Sequence, residues 1–331
     1  MPSVSRAEGA LRGRSLSEQV LDRHTLTAAI LTFLSNQEAR TLEDVRVAVE
    51  HEIDVAGECG FTALLRRLDA AGSDWAYCEP DPLARRIHDV IAARLLGAES
   101  RVLGMEHVHA VAGQPVIICS NHLSYSDANM LEILLRRCGG AEVADRLTVI
   151  AGPKVYSSLK RRFSSLCFGT IKTPQSSARS SEDAVMNARE VARAARLCID
   201  LAGERLRLGD ALLLFPEGTR SRSTGMQRML PAVTRYFDER GAWILPVSIT
   251  GTEIVFPVGE DVLHPDRIVV RAAPPLRSDA LRVAAGADRR LMMDAVGVAI
   301  AQVLPPEYAG EYGSGEADLS DARRVLAAAR S

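Results

Sequence analysis

Beyond residue 97, short apolar runs rich in β-branched residues alternate with longer stretches of helical periodicity, and few architectures accept that pattern. Residues 116–119, 147–151, 211–215, 244–250 and 268–272 read as strands. Helices are expected over 181–208 and 287–304. Strands that are apolar at consecutive positions need cover on both faces, which helices on either side of a sheet provide. The expectation is an α/β fold: a central, mostly parallel or mixed sheet flanked by helices.

Before residue 97 the texture is helical. Residues 1–14, rich in Ser, Gly and Arg, read as a loose arm and 15–95 as helices. Thr41-Leu42-Glu43-Asp44 has the form of a capped helix start, and Asp81-Pro82 sets a capping carboxylate before a proline suited to the first helical position. The expected regions are a helical N-terminal domain over 1–96, an α/β domain over 97–310 and a C-terminal tail over 311–331 with a short helix.

Composition narrows the function. A chain of 331 residues, 47% hydrophobic, supports a sizeable core. A net charge of -2 excludes a general nucleic-acid binder, which would be strongly basic. Six scattered cysteines without a C-x-x-C pair match neither a zinc site nor a disulfide framework, so a reducing, cytoplasmic setting is expected. No stretch reaches the roughly 18 apolar residues that span a bilayer, and the apolar positions at 26–34 are too few. Any membrane contact is therefore expected to be peripheral, on the inner face.

Two motifs carry chemistry. In Asn121-His122-Leu123-Ser124-Tyr125-Ser126-Asp127, the histidine falls in the loop after a buried strand and the aspartate in the first turn of a helix. A carboxylate there can fold back onto one imidazole nitrogen, leaving the other to take a proton. Read alone, the spacing also describes a helix-start carboxylate beside a loop histidine. The second motif, Phe215-Pro216-Glu217-Gly218-Thr219-Arg220-Ser221, turns at the end of a strand, where ligands collect in α/β sheets. Gly218 permits close backbone approach, Thr219 offers a hydroxyl and Arg220 a fork suited to phosphate. Read alone, Glu217 and Arg220 could instead pair with each other.

These blocks, with Gly169-Thr170-Ile171-Lys172 and Leu245-Pro246-Val247-Ser248-Ile249-Thr250-Gly251, resemble in order and spacing the glycerolipid acyltransferase family of glycerol-3-phosphate and 1-acylglycerol-3-phosphate O-acyltransferases, over about residues 100 to 275. The resemblance implies that His122 is the base, that Asp127 orients it, and that Glu217 and Arg220 help bind a phosphate-bearing acceptor. It makes 97–310 an acyltransferase domain. One departure concerns the acceptor: the family's middle block often ends with an arginine where this chain has Lys172-Thr173-Pro174.

A concentration of positive charge points the same way. Residues 146–181 contain no acid, and Lys154, Lys160 and Lys172 are the only lysines in the chain. Lys154, Lys172 and Arg179 are accordingly candidate substrate-binding residues, with a solvated basic face as the alternative. His107 and His109 alternate on an expected strand and so share a face, a spacing open to metal binding without a third ligand nearby. Ser124 reads as a loop or capping hydroxyl and Cys119 as core.

The reaction expected is acyl transfer from a thioester donor, acyl-CoA or acyl carrier protein, to a hydroxyl of glycerol 3-phosphate or a lysophospholipid such as lysophosphatidate. No metal or redox cofactor is required. Backbone N–H groups near His122 or Gly218 are candidates for the oxyanion hole. Partners in this reading are the donor, the phosphate-bearing acceptor, acyl carrier protein and an anionic membrane surface, with no nucleic acid. The alternatives are an acyl-thioester hydrolase and a non-catalytic lipid- or acyl-carrier-binding protein.

Overall fold

The computed structural model describes residues 21–73, 75–174, 187–313, 315 and 318–330. The expected arm at 1–14 and the candidate Arg179 lie outside them. The strands in chain order are β1 (Tyr77–Cys78), β2 (Arg101–Leu103), β3 (Val116–Ser120), β4 (Leu147–Ala151), β5 (Gly169–Lys172), β6 (Ala211–Leu214), β7 (Trp243–Thr250), β8 (Val269–Ala272) and β9 (Leu276–Arg277). The helices begin with α1 (Arg23–Leu31), α2 (Ala39–Ser73), α3 (Pro82–Leu95), α4 (Met105–Ala110), α5 (Asp127–Arg137) and α6 (Ala141–Ala144). They continue with α7 (Leu159–Ser165), α8 (Ala188–Arg207), α9 (Thr252–Val255), α10 (Ser278–Ala284), α11 (Arg289–Ala301) and α12 (Ser320–Arg330).

The chain packs as two compact units. Unit 1 comprises Met1–Arg94, Ile150–Leu201 and Asp261–Leu263; unit 2 comprises Leu95–Val149, Ala202–Glu260 and His264–Ser331. Sequence texture divides the chain at 96/97, near the first of these boundaries. Packing then adds two later segments to unit 1: β5 pairs antiparallel with β1, Tyr77 opposite Ile171, the Arg85 Nε donates to the Cys167 carbonyl at 3.0 Å, and the Leu263 N–H donates to the Phe33 carbonyl at 2.6 Å.

In unit 1, α3 starts where the sequence places it. Asp81 Oδ1 accepts from the Leu83 and Ala84 N–H groups at 2.9 and 3.0 Å, and Pro82 takes the first helical position. The start expected at Thr41 is corrected: α2 begins at Ala39 and passes through it, breaking its helical dihedrals at Gly57, where φ is +64°. Thr41 is thus an interior residue of a turn already under way.

In unit 2, the sheet order is β4-β6-β3-β7-β8-β2, with β9 added against the start of β7. The β4–β6, β6–β3, β3–β7 and β8–β2 pairs are parallel, and β7–β8 and β7–β9 antiparallel, so the sheet is mixed. Every residue of β3 and β6 is buried. That is why these strands read as unbroken apolar runs: both faces are covered. The helix α11, buried from Met292 through Ile300, packs against β3 and β7. The C-terminal α12 buries Ala322, Val325, Leu326 and Ala329, packing on α10 and α11. It is a built part of unit 2.

His107 and His109 are corrected as well, since they lie on the six-residue helix α4. Two residues apart on a helix, they do not share a face. His109 Nε2 meets the Gly139 carbonyl at 3.2 Å, and His107 lies 3.7 Å from Glu106. Among the described residues no helix is long and apolar enough to cross a membrane.

Candidate active site

The site of unit 2 is assembled where β3 and β6 end. Past Ser120, the Asn121 side chain continues the ladder: its Oδ1 accepts from the Ile249 N–H at 2.8 Å and its Nδ2 donates to the Ile249 carbonyl at 2.9 Å. One buried amide thus replaces a peptide unit and fixes the take-off of the next residue, His122. The His122 N–H donates to Glu217 Oε1 at 2.8 Å, and its carbonyl accepts from the Ser221 N–H at 2.8 Å. The backbone of the histidine is therefore bound on both sides to the turn after β6.

His122 Nδ1 lies 2.8 Å from Asp127 Oδ2. Asp127 opens α5, and its carboxylate also accepts from the Leu123 N–H at 2.8 Å and the Ser124 N–H at 3.1 Å. An ionised carboxylate only accepts, so Nδ1 carries the proton and Nε2 presents its lone pair. The imidazole stacks on Phe215, with ring centroids 4.2 Å apart and planes 20° apart. The side chain retains 17% exposure while Asp127 keeps 1%. This places the imidazole at the surface and the carboxylate underneath.

The turn after β6 needs its glycine. Gly218 has φ +72° and its N–H closes onto the Phe215 carbonyl at 3.0 Å. Glu217 points inward, 2% exposed, and its second oxygen accepts from the Gln227 N–H at 2.8 Å. Both Glu217 oxygens are thus engaged by backbone N–H groups, and a pair with Arg220 is not what the turn forms. Burial pushes the Glu217 carboxyl up to about 7, against the pull of those two N–H groups. Arg220 lies over the Tyr125 ring, its Cζ 3.5 Å from the centroid. Thr219 and Gly218 are exposed at the tip of the turn.

The loop that follows is clasped from the C-terminal side. Met226 N–H donates to the Tyr308 carbonyl at 2.9 Å, and Glu311 N–H donates to the Met226 carbonyl at 3.0 Å. The Met229 N–H donates to the Tyr312 hydroxyl at 3.1 Å. Tyr308 in turn gives its hydroxyl proton to Glu253 Oε1 at 2.5 Å. The sequence contains no local sign of this clasp, whose partners are more than 80 residues apart, as for Met229 and Tyr312.

The structure brings together His122, Asp127, Glu217, Gly218, Thr219 and Arg220 in unit 2. Lys154 and Lys172 belong to unit 1. Lys154 is exposed in a single turn, and the Lys172 ammonium sits 4.4 Å over the Tyr156 ring. Of the backbone donors near His122 and Gly218, four already have partners. The N–H groups of His122, Leu123, Ser124 and Gly218 are all consumed within the site, by Glu217, Asp127 and the Phe215 carbonyl. Ser124 turns its hydroxyl to the Phe256 carbonyl at 3.0 Å, which holds the loop. Tyr125, Gln227 and Asn121 are the participants to which sequence reasoning assigned no role. Tyr125 occupies a position of the motif that the spacing leaves open.

His122, paired with the buried Asp127, is thus tied through its backbone to the P-E-G-T-R turn at the strand ends. Residues 99–250 match the family model described as acyltransferase. Over 117 residues the chain is 30% identical to a 1-acyl-sn-glycerol-3-phosphate acyltransferase of Chlamydomonas reinhardtii, covering 34% of this chain and 32% of that protein. The chain thus spans about a third of the length of the curated relative it matches. Among solved structures it is similar to the 1-acyl-sn-glycerophosphate acyltransferase PlsC of Thermotoga maritima, with 18% identity and a TM-score of 0.39 over 77% of this chain and 85% of that one.

Proposed function

We propose that the protein is an O-acyltransferase that moves a fatty acyl group from a thioester, acyl-CoA or acyl carrier protein, to a hydroxyl of a phosphate-bearing acceptor. The acceptor class is glycerol 3-phosphate or a lysophospholipid such as lysophosphatidate, in keeping with the name of the algal relative. The observation that carries the reading is the 2.8 Å contact between His122 Nδ1 and Asp127, which leaves Nε2 as the base.

In the proposed reaction His122 Nε2 takes the proton of the acceptor hydroxyl as its oxygen attacks the thioester carbonyl. The tetrahedral intermediate collapses with cleavage of the carbon–sulfur bond, and the imidazolium returns the proton to the departing sulfur. Asp127 holds the tautomer and stabilises the transient imidazolium. Arg220, held over the Tyr125 ring, offers its N–H groups to the acceptor phosphate. Glu217 acts as a positioning residue that locks the His122 backbone to the turn.

The test is thioester consumption across a panel of acceptors with product masses read out. A glycerolipid ester that requires the acceptor is expected, and His122→Ala should lower turnover by about a hundredfold or more with the folded state intact. Free fatty acid released at the same rate without acceptor would replace the reading with thioester hydrolysis.

A further inference from the structure

At the edge of the unit 2 sheet, β2 lies parallel to β8, with Arg101 opposite Val269 and Leu103 opposite Arg271. The strand β8 pairs antiparallel with β7, Arg271 opposite Ser248 and Val269 opposite Thr250. Residues opposite one another, and residues two apart on a strand, share a face. Arg101, Leu103, Arg271 and Thr250 therefore project from one side of three adjacent strands. Diagonal neighbours on such a face are within reach of side chains as long as arginine.

Among the described residues neither Arg101 nor Arg271 forms an ion pair. Arg271 is half-buried, and its guanidinium reaches Thr250 Oγ1 only at the 3.5 Å limit of a hydrogen bond. Burial, with Arg101 and Arg267 nearby, lowers its affinity for the proton, and no carboxylate is among the groups acting on it. Asp266 and Glu307 lie near Tyr308, whose hydroxyl is the one oppositely acting group on Arg271, and two further acids have partners of their own. Glu99 pairs with Arg267 at 3.0 Å, while Glu253 accepts from the Tyr308 hydroxyl and, at 3.0 Å, from the Gly251 N–H. Arg101 is exposed beside Leu103, itself 42% exposed.

Withdrawing a guanidinium from water among like charges is unfavourable unless a counter-charge joins it. We propose that Arg271 and Arg101, flanked by Arg267, form an anion site for a phosphate group, separate from the acceptor contact assigned to Arg220. Two guanidinium forks on one face match the several oxygens of a phosphate better than a single carboxylate. The phosphate can belong to a soluble phosphorylated ligand or to the headgroup of an anionic phospholipid, since both present the same oxygens.

The experiment uses the full chain carrying Arg220→Gln, so that the proposed acceptor contact does not contribute. Pyrophosphate is titrated by calorimetry at two salt concentrations. Saturable, salt-weakened binding is expected, reduced about tenfold or more by added Arg271→Gln and also by Arg101→Gln, whose exposed position leaves the fold undisturbed. A parallel arm sediments the protein with phosphatidylcholine vesicles with and without phosphatidate. Binding that needs both phosphatidate and Arg271 identifies a headgroup, and pyrophosphate binding without it identifies a soluble ligand. Pyrophosphate binding that is absent, or unaltered by both arginine substitutions, overturns the proposal. Because Arg220 is removed throughout, that failure is distinct from failure of the acceptor reading.

Discussion

At the scale of single residues the proposed site divides into groups assigned to substrate and groups that hold them. Arg220→Gln is expected to raise the acceptor KM about tenfold or more with kcat little changed, the mark of lost binding to a charged group. Tyr125→Leu should shift KM the same way by less, since a cation over an aromatic face contributes about 1 kcal/mol, while Tyr125→Phe keeps the face. An acceptor KM unmoved by Arg220→Gln would end the phosphate assignment. Glu217 predicts a pH dependence. Its folded carboxyl holds its proton up to about 7, whereas the unfolded chain releases it near 4.5. The contribution is present in full below 4.5 and is lost as pH rises through 7, a change of about 3 kcal/mol. Urea unfolding of wild type and Glu217→Gln at pH 4 and pH 8 checks this. The amide costs one of two backbone hydrogen bonds at any pH, so the difference between the two pH values is the readout, and parallel pH dependence would refute it. The His122–Asp127 pair was legible because the six residues between a buried strand and a helix start admit few geometries. Tyr125 beneath Arg220 was not, because ring and guanidinium meet only after two separate strand ends converge.

At the scale of elements, what was legible followed from burial. The runs at 116–119, 147–151 and 211–215 are strands within one residue of their expected ends because unbroken apolar sequence reflects cover on both faces. His-Val-His at 107–109 alternates like a strand, yet Gly104 at φ +75° turns the chain into a helix too short to display its own period. Three-residue β2 and the antiparallel placing of β8 against β7 carry no periodic signal at all. The clasp over Met226 is of the same kind, and Gly310 is its tightest point. At φ +51°, an added Cβ would lie 2.2 Å from the Met226 carbonyl oxygen and 2.4 Å from its nitrogen. Gly310→Ala should therefore push the Met226–Gln227 backbone away from Glu217, costing about 2 to 3 kcal/mol and lowering kcat at temperatures where the protein stays folded. Val325→Ala, a cavity in α12 of similar cost, is the control. Equal kcat in the two variants would mean that the clasp stabilises the fold without positioning the base.

At the scale of the whole chain, the division into units bears on what folds alone. Helical periodicity up to residue 95 reads as a domain complete in itself, since periodicity reports local structure and is silent about which distant segment covers an apolar face. The geometry of unit 1 runs against completeness. The edge of β1 is satisfied by β5, the Asp81 N–H by the Leu166 carbonyl at 2.8 Å, and α7 packs against α1 and α2. All of these partners come from the 150–201 segment. A fragment of residues 1–94 would leave Leu26, Ile30, Leu64, Leu68 and Ile87, each fully buried in the intact chain, without part of their cover, and would strand polar backbone groups that now have partners. It is expected to unfold without a cooperative transition in urea and to bind a hydrophobic dye, as a collapsed helical state does. Circular dichroism against urea decides the matter. A sharp two-state transition in the fragment would establish that the N-terminal helices are a domain in their own right, and that the segment 150–201 is accessory to them.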